Sequence, residues 1–226
     1  MQSVEFSWTQ APFDWQHDCG TRMSQCTPQD TARGMFLNGM LKSIRTLAGE
    51  AVAKRCLEAT GHERLVDVFN YPATLQLQFL SIAMPELLAR CGSYDTAMRQ
   101  LGRHAVMDFL GSTAGKMLLT LARKDPKRLV DSLPSAHKVS VNFGTQVVEW
   151  LGPKQGRVIL KREFLPHAYH AGVVEVLLEA RRRDQGGRAE LADGAAGQRD
   201  RPHLGLRLAE ALPGESCETR PVECTP

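Results

Sequence analysis

The stretch Gly111-Ser112-Thr113-Ala114-Gly115-Lys116 decides the fold of this chain, because it nearly spells a phosphate-binding loop and then departs from one. A true loop of that kind has four residues between its glycines, so that successive N–H groups curl round a phosphate. It then has a Ser or Thr after the lysine to hold magnesium. Here the glycines enclose three residues and the residue after Lys116 is Met117. The motif also needs a strand before it, whereas Ala97, Met98, Leu101, Ala105, Val106, Phe109 and Leu110 recur at helical spacing. The stretch therefore reads as part of one long helix from Asp95 to about Arg123, and a nucleotide-binding α/β fold is set aside. Gly111 and Gly115, four apart, share a face on which another element can approach closely.

Working outward, Phe36, Leu37, Met40, Leu41, Ile44, Leu47, Val52 and Leu57 recur at three- and four-residue steps between Gly34 and Ala59. Gly49 interrupts them and Gly61 stops them. Leu75, Leu77 and Phe79 alternate like a strand, but Leu75, Phe79, Ile82 and Ala83 fit a helix face, and Pro72 at a first helical position favours the helix. Pro85 is expected to bend or restart it, and Cys91-Gly92-Ser93 to end it. After a short helix over Lys127–Leu133 the pattern changes. Lys138–Phe143 and Gln146–Leu151, separated by Gly144-Thr145, read as a β-hairpin, and Arg157–Phe164 as a third strand. Such short connections make the strands antiparallel, and an amphipathic helix follows from about Ala171 to Arg183. The fold class is α+β: a helical N-terminal half, then a small antiparallel sheet and a C-terminal helix.

Three regions follow: an extended lead-in over 1–29, a single α+β domain over 30–183, and a tail over 184–226. The tail is rich in Gly, Ala, Arg, Glu, Asp and Pro, and reads as disordered or as an out-of-frame product of a GC-rich gene.

The chain has 226 residues and is 42% hydrophobic, enough for a sizeable core. No apolar run approaches the ~20 residues of a membrane span, and Met1–Trp8 lacks the pattern of a signal peptide, so the expected location is cytoplasmic. Six scattered cysteines with no C-x-x-C pair read as free thiols. His17, Cys19 and Cys26 lack the paired spacing of a zinc site. The net charge of +3 is mild. Basic clusters at Arg123-Lys124, Lys127-Arg128 and Arg181–Arg183 suit helix ends and have no interleaved aromatics, which weighs against a nucleic-acid reader.

Four islands carry a resemblance: Arg33–Gly39, Tyr71-Pro72, Tyr94–Arg103 and Gly111–Lys116. Together they resemble a large paralogous family of uncharacterised proteins found in myxobacteria, a domain of unknown function about 180 residues long, matched over roughly 30–180. The order of elements is also similar to the haem-nitric-oxide-binding and vinyl-reductase-type domains. That family closes with a strand pair where this chain has its Gly/Arg-rich tail. Its haem-binding members use a Tyr-x-Ser-x-Arg cluster that this sequence lacks. His104, His167 and His170 are the candidates for an axial ligand.

The resemblance implies a regulatory, interaction or small-ligand-sensing module and no established chemistry. No catalytic residue, metal ligand or cofactor is assigned. The expected partners are a second copy, a signalling protein or a small ligand, not a membrane. The rival readings are an enzyme with a dispersed site at Asp95, Arg99, Arg103, His104 and Asp108, a set that ion pairing along one helix face explains equally well, and a weak nucleic-acid-binding protein acting through the basic clusters.

Overall fold

In the computed structural model, which describes residues 13–123, 125–153, 155–179 and 203–207, a helix already occupies the segment expected to be extended. This helix, α1, spans Trp15–Gln25; the Asp14 carboxylate caps it by accepting from the His17 N–H, and Cys19 is turned inward. Only Cys19 of this helix is buried, so it leaves little apolar period in the sequence.

The three-four periodicity after Gly34 becomes α2 (Gly34–Ala48) and α3 (Glu50–Glu58), parted at Gly49, which adopts a φ of 98°. Leu37, Met40, Leu41 and Ile44 all lie buried along one stripe of α2, and each such side chain contributes about 1.5–3 kcal/mol of burial. Two short strands absent from the sequence reading frame this pair: β1 (Thr31–Arg33) and β2 (Asn70–Pro72) run antiparallel with Ala32 opposite Tyr71. Pro72 thus ends a strand instead of starting a helix. The helix that follows, α4 (Thr74–Cys91), continues through Pro85 and stops at the left-handed Gly92.

The long helix expected from Asp95 to Arg123 is two helices, α5 (Tyr94–Gly111) and α6 (Thr113–Leu121). Ser112 is the cause: it sits extended, and its hydroxyl accepts from the Gly115 N–H, capping α6. The two glycines differ. A Cβ on Gly115 would lie 2.0 Å from the Phe109 carbonyl oxygen, so Gly115 is what allows the corner, while Gly111 faces open space.

Two short helices, α7 (Pro126–Asp131) and α8 (Leu133–Ser140), come next. The hairpin then forms one strand later than expected. Lys138–Ser140 belong to α8, which Pro134 opens, and β3 (Thr145–Trp150) pairs with β4 (Gln155–Lys161), Val147 opposite Ile159. The alternation of Val139 and Val141 imitated a strand, but only Val141 makes a bridge, to Ala32. After α9 (His167–Glu179), β5 (His203–Arg207) pairs antiparallel with β4 to complete the order β3-β4-β5. A strand therefore lies inside the tail read as structureless; the rest of that tail lies outside the described residues.

One apolar core gathers α2, α4 and the start of α5 around Leu37, Ile44, Leu77, Phe79 and Met98. A second gathers α7, the inner face of β4 and α9 around Leu129, Val130, Val158, Val174 and Leu177. Two polar clamps join the halves. Arg162 donates from both terminal nitrogens to Asp30 (2.8 and 2.7 Å), and Asn142 bonds the Thr31 N–H and the Gln29 carbonyl at 2.7 and 2.9 Å.

Candidate functional site

The residues proposed for a dispersed catalytic site lie on α5, and their partners are on α9 instead of along α5. Arg99 donates to the Glu175 carboxylate at 2.6 Å; Arg103 reaches Glu175 at 3.0 Å and forks onto both oxygens of Glu179 at 3.1 and 2.9 Å. The bonds to Glu179 come first among the causes that hold the Arg103 guanidinium charged. Asp108 pairs with Lys42 of α2 at 3.0 Å, His104 is half-buried, and Asp95 stands in the first turn of α5. Glu175 and Glu179 were missed by the sequence reading, although their four-residue spacing on a helix matches that of Arg99 and Arg103.

Glycine allows this interface to close. A Cβ on Gly102 would stand 2.0 Å from the Tyr169 carbonyl oxygen, and one on Gly172 would stand 2.1 Å from that of Arg99. The backbones of α5 and α9 are therefore in direct contact, as happens where small residues face one another across two helices.

Beside α9 lies a buried polar cluster. His137 of α8 meets Glu163 at 3.0 Å, and His170 of α9 approaches the other carboxylate oxygen at 3.8 Å. Burial alone would raise the Glu163 pKa, but His170, His137 and Gln146 outweigh it and hold the carboxyl below its ordinary range. Burial pushes the His170 imidazole down to about 4, so it is neutral near pH 7. Its Nε2 has no hydrogen-bond partner among the described residues. Of this cluster only His170 stood out in the sequence; Glu163 comes from a segment read as strand, and His137 from the stretch between the short helix and the expected hairpin. Asp30, gripped by Arg162, is held down at about 2.

The other sequence candidates do not converge. Lys116 is exposed on α6, and the N–H groups a phosphate would need are taken: Gly115 donates to the Ser112 hydroxyl and Lys116 to the Ser112 carbonyl. Cys19 donates to the Leu77 carbonyl and Cys26 to that of Arg22, while His17 is exposed. Cys19, Cys26, Cys56 and Cys91 are free thiols. Among the described residues no group of three or more His, Cys, Asp or Glu has the arrangement of a metal site, and no helix is long and apolar enough to cross a membrane. Of the basic clusters, Lys127 lies 4.8 Å from the Trp150 ring centroid and Arg128 lies 3.8 Å from Asp125; Arg181–Arg183 fall outside the described residues.

Comparison with known proteins bears on this arrangement at two levels. Residues 25–193 match the model of a family described as a protein of unknown function, DUF2378. No curated protein matches the chain. Solved structures of similar fold include the unliganded Fe(II) H-NOX protein from K. algicida, at 17% identity and a TM-score of 0.55, covering 81% of this chain and 100% of that one. An oxygen-binding H-NOX domain related to soluble guanylate cyclases, in its oxygen complex, aligns at 12% identity with a TM-score of 0.54, covering 80% of this chain and 100% of that one. At this identity the likeness shows the fold.

Haem is the group such a fold implies, and the described residues do not fit it. A site for a ligand of that size has about 300–1,000 Å³. The small cavity between α1, α4 and the start of α5, lined by Cys19, Leu77, Met84 and Tyr94, measures about 10 Å³. The groove beside Arg64–Val68, at about 360 Å³, is open to solvent and offers neither a histidine nor an enclosing wall. His170 faces a carboxylate it does not quite reach, and α5 meets α9 with no gap between their backbones.

Proposed function

The chain belongs to the DUF2378 family of unknown function, and we propose that it uses its H-NOX-like fold as a regulatory interaction module that operates without haem. The observation that carries this reading is the glycine-mediated contact of α5 with α9, locked by the Arg99, Arg103, Glu175 and Glu179 ladder. Interiors packed in this way do not open to admit a planar cofactor without losing both the backbone contact and the ion pairs. The enzyme alternative loses support for the same reason: Arg99 and Arg103 are engaged by carboxylates, and perturbed groups mark catalysis only where a cleft exposes them to substrate. A non-enzymatic role in the cytoplasm, through a partner met at the surface, accords with this closed interior.

The test is haem loading. Purified protein, and protein titrated with haemin, should show no stoichiometric Soret band. A stable band at one equivalent that disappears in His170→Ala or His104→Ala would overturn the reading.

A further inference from the structure

Helix α6 exposes apolar surface. Ala114, Met117 and Leu121, at three- and four-residue steps, form one exposed stripe, and Met117 and Leu121 keep 63% and 70% of their surface. Phe109, at the end of α5, adds a partly open ring. Gly115 is the buried residue of α6, and Leu118 and Leu119 pack half-buried against the second core, which leaves the opposite side of the helix open. Exposed apolar stripes of this sort mark docking surfaces more often than isolated exposed side chains do.

Charge identifies the occupant. Residues 109–128 carry Lys116, Arg123, Lys124, Lys127 and Arg128 against the single acid Asp125, a formal +4 in a chain whose net charge is +3. The remainder of the chain is thus net −1, and its positive excess is concentrated around this helix. Lys116 and Arg123 have no ion-pair partner among the described residues, while Asp125 lies near Arg128. We infer that α6 is the docking face for an acidic amphipathic helix of a partner protein, its apolar side covering Met117 and Leu121 and its carboxylates meeting the basic rim. This rests on the interaction-module reading. Three arguments exclude other occupants. A second copy laid α6 against α6 brings Lys116 and Arg123 onto like charges. A nucleic-acid backbone has no use for an apolar centre. A bilayer face of this size lacks the tryptophan and tyrosine that anchor interfacial helices.

The test uses the full chain and a fluorescein-labelled synthetic helix with leucines at i, i+3, i+4 and i+7 and glutamates elsewhere, beside its lysine counterpart. The acidic peptide should raise fluorescence anisotropy and the lysine peptide should not. The paired substitution Met117→Ser with Leu121→Ser should weaken binding about tenfold or more while circular dichroism and melting stay unchanged, and Lys116→Glu should weaken it chiefly at low salt. Equal binding to wild type and the paired variant overturns the proposal, as does no binding of the acidic peptide. So does concentration-dependent self-association, or co-sedimentation with phosphatidylserine vesicles, that the paired variant abolishes while peptide binding is absent. Haemin titration of the same preparation separates the two readings: a chain taking neither haem nor peptide loses this face but keeps the module, whereas one taking up haem loses the module itself.

Discussion

Gly102→Ala should destabilise the protein even though alanine is the better helix former. The new methyl carbon would stand 2.0 Å from the Tyr169 carbonyl oxygen, 2.9 Å from its carbonyl carbon and 3.2 Å from the Val173 nitrogen, all of them backbone atoms of α9. No rotamer change relieves such a contact, so α9 must retreat by roughly 1 Å to restore ordinary packing. Overpacking of this kind costs about 1–3 kcal/mol. The stretched Arg99 and Arg103 bonds add about 0.5 kcal/mol each at their partial exposure, and relief of the glycine returns about 1 kcal/mol. The net loss is about 2 kcal/mol, which lowers the melting temperature by about 4–8 °C in a chain of this size. Gly20→Ala is the control: it lies on exposed α1 with nothing within 4 Å, and should gain about 0.5–1 kcal/mol. Thermal melts by circular dichroism read both. A Gly102→Ala protein that melts at or above wild type, beside a stabilised Gly20→Ala, would refute direct contact between the two helices.

Stability should fall with acidification well above the usual carboxylate range. His170 titrates near 4 when folded and near its ordinary 6.5 when unfolded, so between those values the unfolded chain binds the extra proton and stability drops by up to about 1.4 kcal/mol per pH unit. Urea midpoints between pH 7.5 and 4.5 should show this slope, and an unchanged slope in His170→Phe would count against it. Asp30, held down at about 2 beside Arg162, contributes stability that is lost only from its ordinary 3.8 downward. Glu163→Ala, which takes from the buried His137 ring its hydrogen-bond partner, should cost about 1–3 kcal/mol in urea unfolding; an unchanged urea midpoint would mean that the cluster does not support the fold. Lys116→Ala should leave calorimetric titrations with ATP and GTP indistinguishable from wild type, and a saturable nucleotide signal lost in the variant would restore the phosphate-loop reading.

Much of the helical half was legible because burial on one side imposes a period: Leu37, Met40, Leu41 and Ile44 could hardly be read otherwise, and Gly49 and Gly92 punctuated where the chain turns left-handed. Errors arose where local pattern and tertiary context disagreed. Val139 and Val141 alternate, yet Pro134 starts a helix that runs on through Ser140. The three-residue β1 and β2 are too short to leave a period, and the alternating Leu204 and Leu206 of β5 were overridden by the Gly/Arg-rich composition around them. The candidate site was half visible. Arg99 and Arg103 announced a charged helix face, but the sequence pattern did not place Glu175 and Glu179 opposite them, nor Glu163 between two histidines. Such pairings are fixed by packing across more than 70 residues in the first case and 26 in His137–Glu163.

The clamp between Asp30 and Arg162 spans 132 residues, and this has a consequence for how the protein is made. At a synthesis rate of about 5–20 residues per second, Asp30 leaves the ribosome roughly 7–26 s before its partner exists. Through that interval the helices α2 to α5 are held by their own apolar stripes, and Ala32 waits for both the clamp and the bridge from Val141. Closing so wide a loop comes late in folding, because its entropy is lost before the contact rewards it. Asp30→Ala should accordingly speed unfolding while leaving the refolding rate nearly unchanged.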